Sequence, residues 1–187
     1  MAKREITAEP VRITGIDIKI AVAILICCLT SVLLNHFGIR FQYGQMSLEI
    51  IQKMTACISC LLVCQKDMVS STGAGKNRLV ITAIGGLVGM IVVCIDTGIN
   101  SEWFFAILVA LGALLTLLLC KVCKVPYINA RIGGVTFILV SCTFSEYARI
   151  YYALFRLIST FYGVLVAVVI CWVWEKLFEN GTYQDKE

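Results

Sequence analysis

The chain has 187 residues, of which 59% are hydrophobic and only 15% charged, with a formal net charge of +4 and a mean hydropathy of +0.88. Soluble domains carry about a quarter charged residues, so this composition excludes a water-soluble fold and indicates an integral membrane protein. The positive balance fits basic loops beside anionic lipid rather than a nucleic-acid surface.

Charged residues gather at the ends and in short gaps between apolar stretches long enough to cross the hydrocarbon core as helices. A polar tail over 1-15 leads into six such stretches, 16-37, 46-65, 79-96, 102-120, 127-145 and 152-175, and a second tail covers 176-187. Continuous apolar runs are not the alternating pattern of a membrane barrel, and backbone in lipid must be satisfied within its own segment. The expectation is an all-α membrane domain over 16-175 with no soluble domain. The first stretch is too long, and lacks the small-residue site, for a cleaved leader, so it reads as a retained span.

Along the chain, Asp17 and Lys19 open the first span as interface anchors, and His36, the only histidine, closes it. In the second span Glu49 and Lys53 stand four apart on one helical face, with Gln52 beside them. Ionisable groups inside hydrocarbon are costly, so the pair is either a structural ion pair or a functional one, with Lys53 drawing an anion and Glu49 setting its charge or relaying a proton. The third span opens on Arg78-Leu79-x-x-Thr82-x-x-Gly85 and continues through Gly86 and Gly89. Trp103, Phe104 and Phe105 at the fourth span, and Trp172 and Trp174 at the end of the sixth, read as interface belts. Tyr147, Tyr151 and Tyr152 crowd the entrance to the sixth.

Ten cysteines suggest little chemistry. Most lie in apolar spans, where a thiol behaves as a small hydrophobe. Cys120-x-x-Cys123 has no second ligand pair, and Cys57, Cys60 and Cys64 share only a helical face, so neither metal nor disulfide framework is expected. Gly73-Ala74-Gly75-Lys76 is not a phosphate loop, because Ser70 stands where a glycine is required and Asn77 follows the lysine. No cofactor is expected, and no nucleophile with a base, carboxylate pair or metal cluster suggests an enzyme.

Lys and Arg set the orientation. With the amino terminus inside, Lys3, Arg4, Arg12, Lys19, Lys66, Lys76, Arg78, Lys121, Lys124, Arg131, Lys176 and Lys186 fall on the cytoplasmic side, against Arg40, Arg149 and Arg156 outside. Both termini are therefore expected in the cytoplasm.

The opening of the third span recurs 78 positions later as Arg156-Leu157-x-x-Thr160-x-x-Gly163. On a helix these offsets place Arg, Thr, Gly and then Gly89 or Ala167 on one narrow stripe. A 78-residue repeat maps the first three spans onto the last three, as units of about 16-96 and 102-175. Three spans is an odd number, so the halves are expected to be inverted, with Arg78 and Arg156 at the mouths of their helices on opposite faces. Gly85, Gly86, Gly89 and Gly163 read as helix-packing positions, and Thr82 and Thr160 as groups that bond across or back to their own chain.

These residues resemble the aromatic acid exporter family within the wider fusaric acid resistance group. There a polar cytoplasmic stretch, here Gln65 to Asn77, leads into Arg78-x-x-x-Thr82-x-x-Gly85, and the sixth span begins as Tyr152-Ala153-x-x-Arg156-x-x-x-Thr160-x-x-Gly163 does. The resemblance implies a six-helix unit related to bacterial exporters of aromatic carboxylic acids and, more distantly, to plant malate transporters that act as dimers. The cytoplasmic helical domain or second six-span unit of many members has no counterpart after the last span, which suggests pairing with a second copy. The expectation is a bacterial inner-membrane transporter or channel-like unit for organic, aromatic carboxylates, working as a homodimer or larger homo-oligomer. Arg78, Arg156, Lys53, Glu49, Thr82 and Thr160 would meet the anion. The alternative is a non-transporting scaffold or accessory subunit that keeps the fold.

Overall fold

The computed structural model describes residues 14–43, 46–99, 101–143 and 148–179. Tyr147 and the basic residues of both tails other than Lys176 lie outside them. Six helices form: α1 (Gly15–His36), α2 (Lys53–Val63), α3 (Met68–Ile99), α4 (Glu102–Val122), α5 (Tyr127–Cys142) and α6 (Ala148–Trp174), the last running into a π-helical turn at Glu175–Glu179. Four of these helices, α1, α3, α4 and α6, are long and apolar enough to cross a membrane, whereas α2 and α5 are shorter.

The expected second span is corrected. Its first residues form an antiparallel hairpin of β1 (Arg40–Tyr43) and β2 (Met46–Glu49), pairing Phe41 with Leu48, and only 11 residues remain for α2. At 1.5 Å per residue α2 is about 16 Å long, roughly half a hydrocarbon core. Phe41 packs on Tyr151 and Phe155, with ring centres 5.0 and 5.2 Å away, which ties the hairpin to the start of α6.

Local chemistry explains several ends. Asp17 Oδ2 accepts from the Thr14 amide at 2.8 Å in the first turn of α1, and Gly38 takes φ +71° just past its end, where a left-handed residue closes a helix. Asp67 Oδ2 accepts from the Ser70 amide at 2.9 Å, which caps α3 eleven residues earlier than hydropathy suggested and holds the Asp67 carboxyl below its usual range. Pro126 precedes α5 at φ −54°, a ring-fixed angle suited to a helix start.

Helices α3 and α6 form the centre and run antiparallel. The Met68 amide donates to Glu175 Oε1 at 3.1 Å near one end, Ser71 Oγ lies 3.2 Å from Cys171 Sγ, and Arg149 Nη1 meets Asp96 Oδ2 at 3.0 Å near the other. Around this pair the packing is crosswise. Helix α5 lies against α3 and α2 against α6, while α4 covers α3 and α5 and α1 covers α2 and α6. One apolar core joins Ala23, Cys27, Ala56, Cys60, Ala167 and Cys171, and another joins Val88, Val92 and Phe137. The outer faces of α1 and α4 leave Leu25, Leu29, Leu111 and Leu114 exposed, as a lipid-facing helix must.

The glycine stripe works at three of its four positions. A Cβ on Gly85 would stand 2.6 Å from the Gly133 carbonyl oxygen in α5, one on Gly89 would be 2.7 Å from Val140, and one on Gly163 would be 2.5 Å from the Ala56 carbonyl oxygen in α2. Gly86 is the exception, since a Cβ there would meet nothing within 4 Å, and it is not a contact glycine.

Candidate functional site

The arginines are not at helix mouths. Helix α3 starts ten residues before Arg78 and α6 eight before Arg156, so each guanidinium enters the bundle from well inside its helix. Arg78 is 4% exposed and Arg156 6%, on two helices that pack directly against each other. Two permanent cations held in a dry interior are costly unless hydrogen-bonded or met by an anion.

Their surroundings differ. Arg156 Nη1 donates to the Tyr152 hydroxyl at 3.1 Å and to Thr55 Oγ1 at 3.4 Å, while its buried Nε has no partner among the described residues. Arg78 has neither Nε nor Nη1 partnered among the described residues. The 78-residue correspondence accounts for the difference: the position matching Tyr152 is Ala74, and the position matching Thr55 is Gly133. Both hydroxyls that serve Arg156 are absent around Arg78. What stands there instead is a cavity of about 50 Å3 lined by Leu62, Ala74, Arg78, Ile81, Asn129 and Ile132. A space of this size takes a few waters, a monatomic anion or the end of a carboxylate.

The threonines of the motif turn away from this space. Thr82 Oγ1 donates to the Arg78 carbonyl at 2.8 Å and Thr160 Oγ1 to that of Arg156 at 2.9 Å, so each hydroxyl is spent on its own helix and neither offers its proton to a ligand. Glu49 and Lys53 also fall outside the site. Glu49 ends β2, Lys53 begins α2, and they pair at 3.4 Å with side chains 32% and 44% exposed, so they share no helical face and no buried path. Asn35 Nδ2 donates to Glu49 Oε1 at 2.8 Å, which ties the pair to α1 as a structural clasp. Gln52 acts locally, its amide N–H donating to Ser159 Oγ at 2.8 Å and its Oε1 accepting from Thr55 at 3.0 Å.

Sequence reasoning missed two features. Lys19 is not a headgroup anchor: it is 3% exposed, donates to the Lys66 carbonyl at 2.9 Å and stands 5.7 Å from the Trp174 ring. Two thiols on α2 and the one that caps its C-terminal end each face another across a helix boundary, Cys57 with Cys28 at 3.6 Å, Cys60 with Cys27 at 3.3 Å and Cys64 with Cys171 at 3.5 Å. The shared face of Cys57, Cys60 and Cys64 was the available signal, but it does not say what lies opposite. Cys120 is buried and Cys123 exposed, and no group of three or more metal-ligating side chains occurs among the described residues.

Long apolar helices with lipid-facing leucines around a core that buries two arginines define a polytopic helical membrane protein. Residues 41–170 match the family described as fusaric acid resistance protein-like, and the chain belongs to that family. The match takes in both arginine motifs, the hairpin from Phe41 onward and all of α2 to α5. No curated protein and no solved structure matches the chain.

Proposed function

We propose that this protein is a transporter or channel-like unit for organic anions, with aromatic carboxylates as the substrate class, and that Arg78 is the group that holds the carboxylate. The observation that carries this reading is the Arg78 guanidinium, buried with two unpartnered nitrogens against a small cavity. A planar fork of donors suits a carboxylate, and a buried cation left unpaired is most readily rationalised by a ligand of opposite charge. Arg156, held by Tyr152 and Thr55, would be the second positive station. No part of the reading calls for enzymatic chemistry.

The family supports a role connected with membrane transport. Three observations support an inverted repeat. Helices α3 and α6, equivalent by the 78-residue offset, run antiparallel. Gly85 meets 133, 136 and 137, and Gly163 meets 56 and 59, segments that are themselves about 78 residues apart. The two short helices, α2 and α5, also occupy corresponding places, and short apolar segments at matched positions are where repeat transporters build a substrate site. We place the protein in a bacterial inner membrane with both termini cytoplasmic, as a homodimer or larger homo-oligomer. In that setting the ring of the acid would occupy space opened by movement of α2 or α5, or supplied by a second copy.

The small cavity favours a second reading, a scaffold or accessory subunit that keeps the fold without passing anything. Flux of benzoate-type acids in proteoliposomes separates the two. Transport by the wild-type chain, lost in Arg78→Gln at equal reconstitution, supports the first. Absence of any flux, with no acid raising the melting temperature of the purified protein, supports the second.

A further inference from the structure

Among the three thiol pairs, Cys64 with Cys171 has surroundings the others lack. Both sulfurs are buried, Cys64 at 3% exposure and Cys171 at 0%, and they touch at 3.5 Å across the α2–α6 boundary. The Ser71 hydroxyl lies 3.2 Å from Cys171 Sγ, sharing its one proton between that sulfur and the Asp67 carbonyl at 2.9 Å. The Gln65 amide donates to Ser71 Oγ at 2.9 Å, which fixes the hydroxyl beside the sulfur. The buried Lys19 ammonium sits at the same end, bonded to the carbonyl two residues past Cys64 and near the ring three residues past Cys171. A hydroxyl donor and a neighbouring cation are the groups that make a thiol reactive, and a second thiol in contact is what resolves its first oxidation product.

Cys27 with Cys60 shows the contrast. Cys60 donates its thiol proton to the Gly163 carbonyl at 3.2 Å, whereas the Cys171 sulfur has only a long contact of 3.8 Å to the Gln65 carbonyl, and no hydroxyl donates to Cys27 or Cys60 among the described residues. Cys28 and Cys57 are half-buried, and no hydroxyl donates to either sulfur among the described residues.

We propose that Cys64 and Cys171 form an oxidant-sensitive dithiol that a small uncharged peroxide converts to a disulfide joining α2 to α6. The Cys171 thiolate attacks one peroxide oxygen, the O–O bond breaks, and Cys171 becomes a sulfenic acid as hydroxide leaves and takes up a proton to give water. The Cys64 thiol then attacks that sulfur, the S–S bond forms and a second water departs. Two electrons pass from the two sulfurs to the peroxide, and an intracellular thiol reductant reverses the link by exchange. The bond lies across the same boundary as Gly163 on Ala56 and Arg156 on Thr55, so it fixes the helix pair that carries one of the two arginines.

The test uses the full chain in lipid nanodiscs with a few equivalents of hydrogen peroxide, followed by denaturation in N-ethylmaleimide, proteolysis and mass spectrometry. The expected product is a Cys64–Cys171 linked peptide lacking two hydrogens, formed before links between Cys27 and Cys60 or Cys28 and Cys57 and removed by dithiothreitol. Cys64→Ala should leave a dimedone-reactive sulfenic acid on Cys171. Ser71→Ala should slow linkage about tenfold, and Ser71→Thr, which keeps the hydroxyl, should restore the rate. The proposal is overturned if exposed Cys94 and Cys123 oxidise while Cys64 and Cys171 are recovered as maleimide adducts, or if Ser71→Ala links as fast as wild type. The readout is the covalent bond itself and does not depend on the transport reading.

Discussion

The two halves of the bundle carry the same motif in two electrostatic conditions. In the second half Arg156 lies under a tyrosine four residues back on its own helix and beside a threonine from the short helix opposite, and both hydroxyls accept from its Nη1. In the first half the corresponding positions are alanine and glycine, and Arg78 keeps its charge, its burial and two free donors. On the proposed reading, the motif that differs at these places and not at the arginine itself serves in one half to hold helices together and in the other to hold a ligand.

The largest effect expected from this contrast is on stability. Replacing a buried, unsatisfied charge by an apolar side chain of similar length is commonly neutral or stabilising by about 1–4 kcal/mol, whereas removing a hydrogen-bonded one loses about 1.5–3 kcal/mol per charged hydrogen bond. Arg78→Met should therefore melt at or above the wild-type temperature, and Arg156→Met well below it. One kcal/mol corresponds to about 2–4 °C for a chain of this size, so the gap between the two variants should be plain in a thermal melt. Equal losses in both would show that the two arginines are structurally equivalent and remove the basis for assigning Arg78 to a ligand.

A second contrast lies within the glycines, at somewhat smaller magnitude. Gly163→Ala and Gly85→Ala push a methyl against backbone carbonyl oxygens of α2 and α5, which cannot turn aside, and should each cost about 1–3 kcal/mol. Gly86→Ala adds its methyl to open space in a helix interior and should gain up to about 1 kcal/mol from helix propensity. Melting temperatures of the three variants check this directly. A loss at Gly86 as large as at Gly85 would mean that α3 packs through a different face from the one described.

How much of this was legible beforehand depends on which interactions are local. Six helices and the recurrence of the Arg-x-x-x-Thr-x-x-Gly motif followed from hydropathy and spacing, because helix length and stripe are properties of consecutive residues. The hairpin was missed because a hydropathy average over 46-65 absorbs four strand residues into the apolar run behind them. The alternation of Phe41 and Tyr43, then Gly44, then Met46 and Leu48 was a strand signal of the kind that should have outranked it. The early start of α3 was hidden by Gly73 and Gly75, which read as loop. Gly75 is helical, and its missing Cβ leaves room for Val164, to which an added Cβ would come within 2.6 Å. The unpartnered state of Arg78 and the thiol pairs could not be read from spacing, since both depend on which residues of distant helices come opposite. For Arg78, comparing each repeat position with its partner would have flagged Ala74 and Gly133.

That comparison supplies the smallest and most specific expected effect. Tyr152 reaches Arg156 from one helical turn away, and Ala74 stands in the same relation to Arg78, so Ala74→Tyr should recreate the hydroxyl-to-guanidinium bond by local helix geometry alone. The added ring would also take up the cavity of about 50 Å3. A hydrogen bond to a charged group, less the strain of seating a ring in limited space, should leave a net gain of about 1 kcal/mol, read as a small rise in melting temperature. If Arg78 meets a carboxylate, the same substitution should abolish stabilisation by aromatic acids and their flux, because one of its two open nitrogens is now engaged and its space filled. Ala74→Phe separates the two contributions, filling the space without offering the hydroxyl, and should block flux without the gain in stability. Undiminished flux through Ala74→Tyr, with the melting temperature raised, would place the anion path elsewhere and leave Arg78 as a charge that the first half merely tolerates.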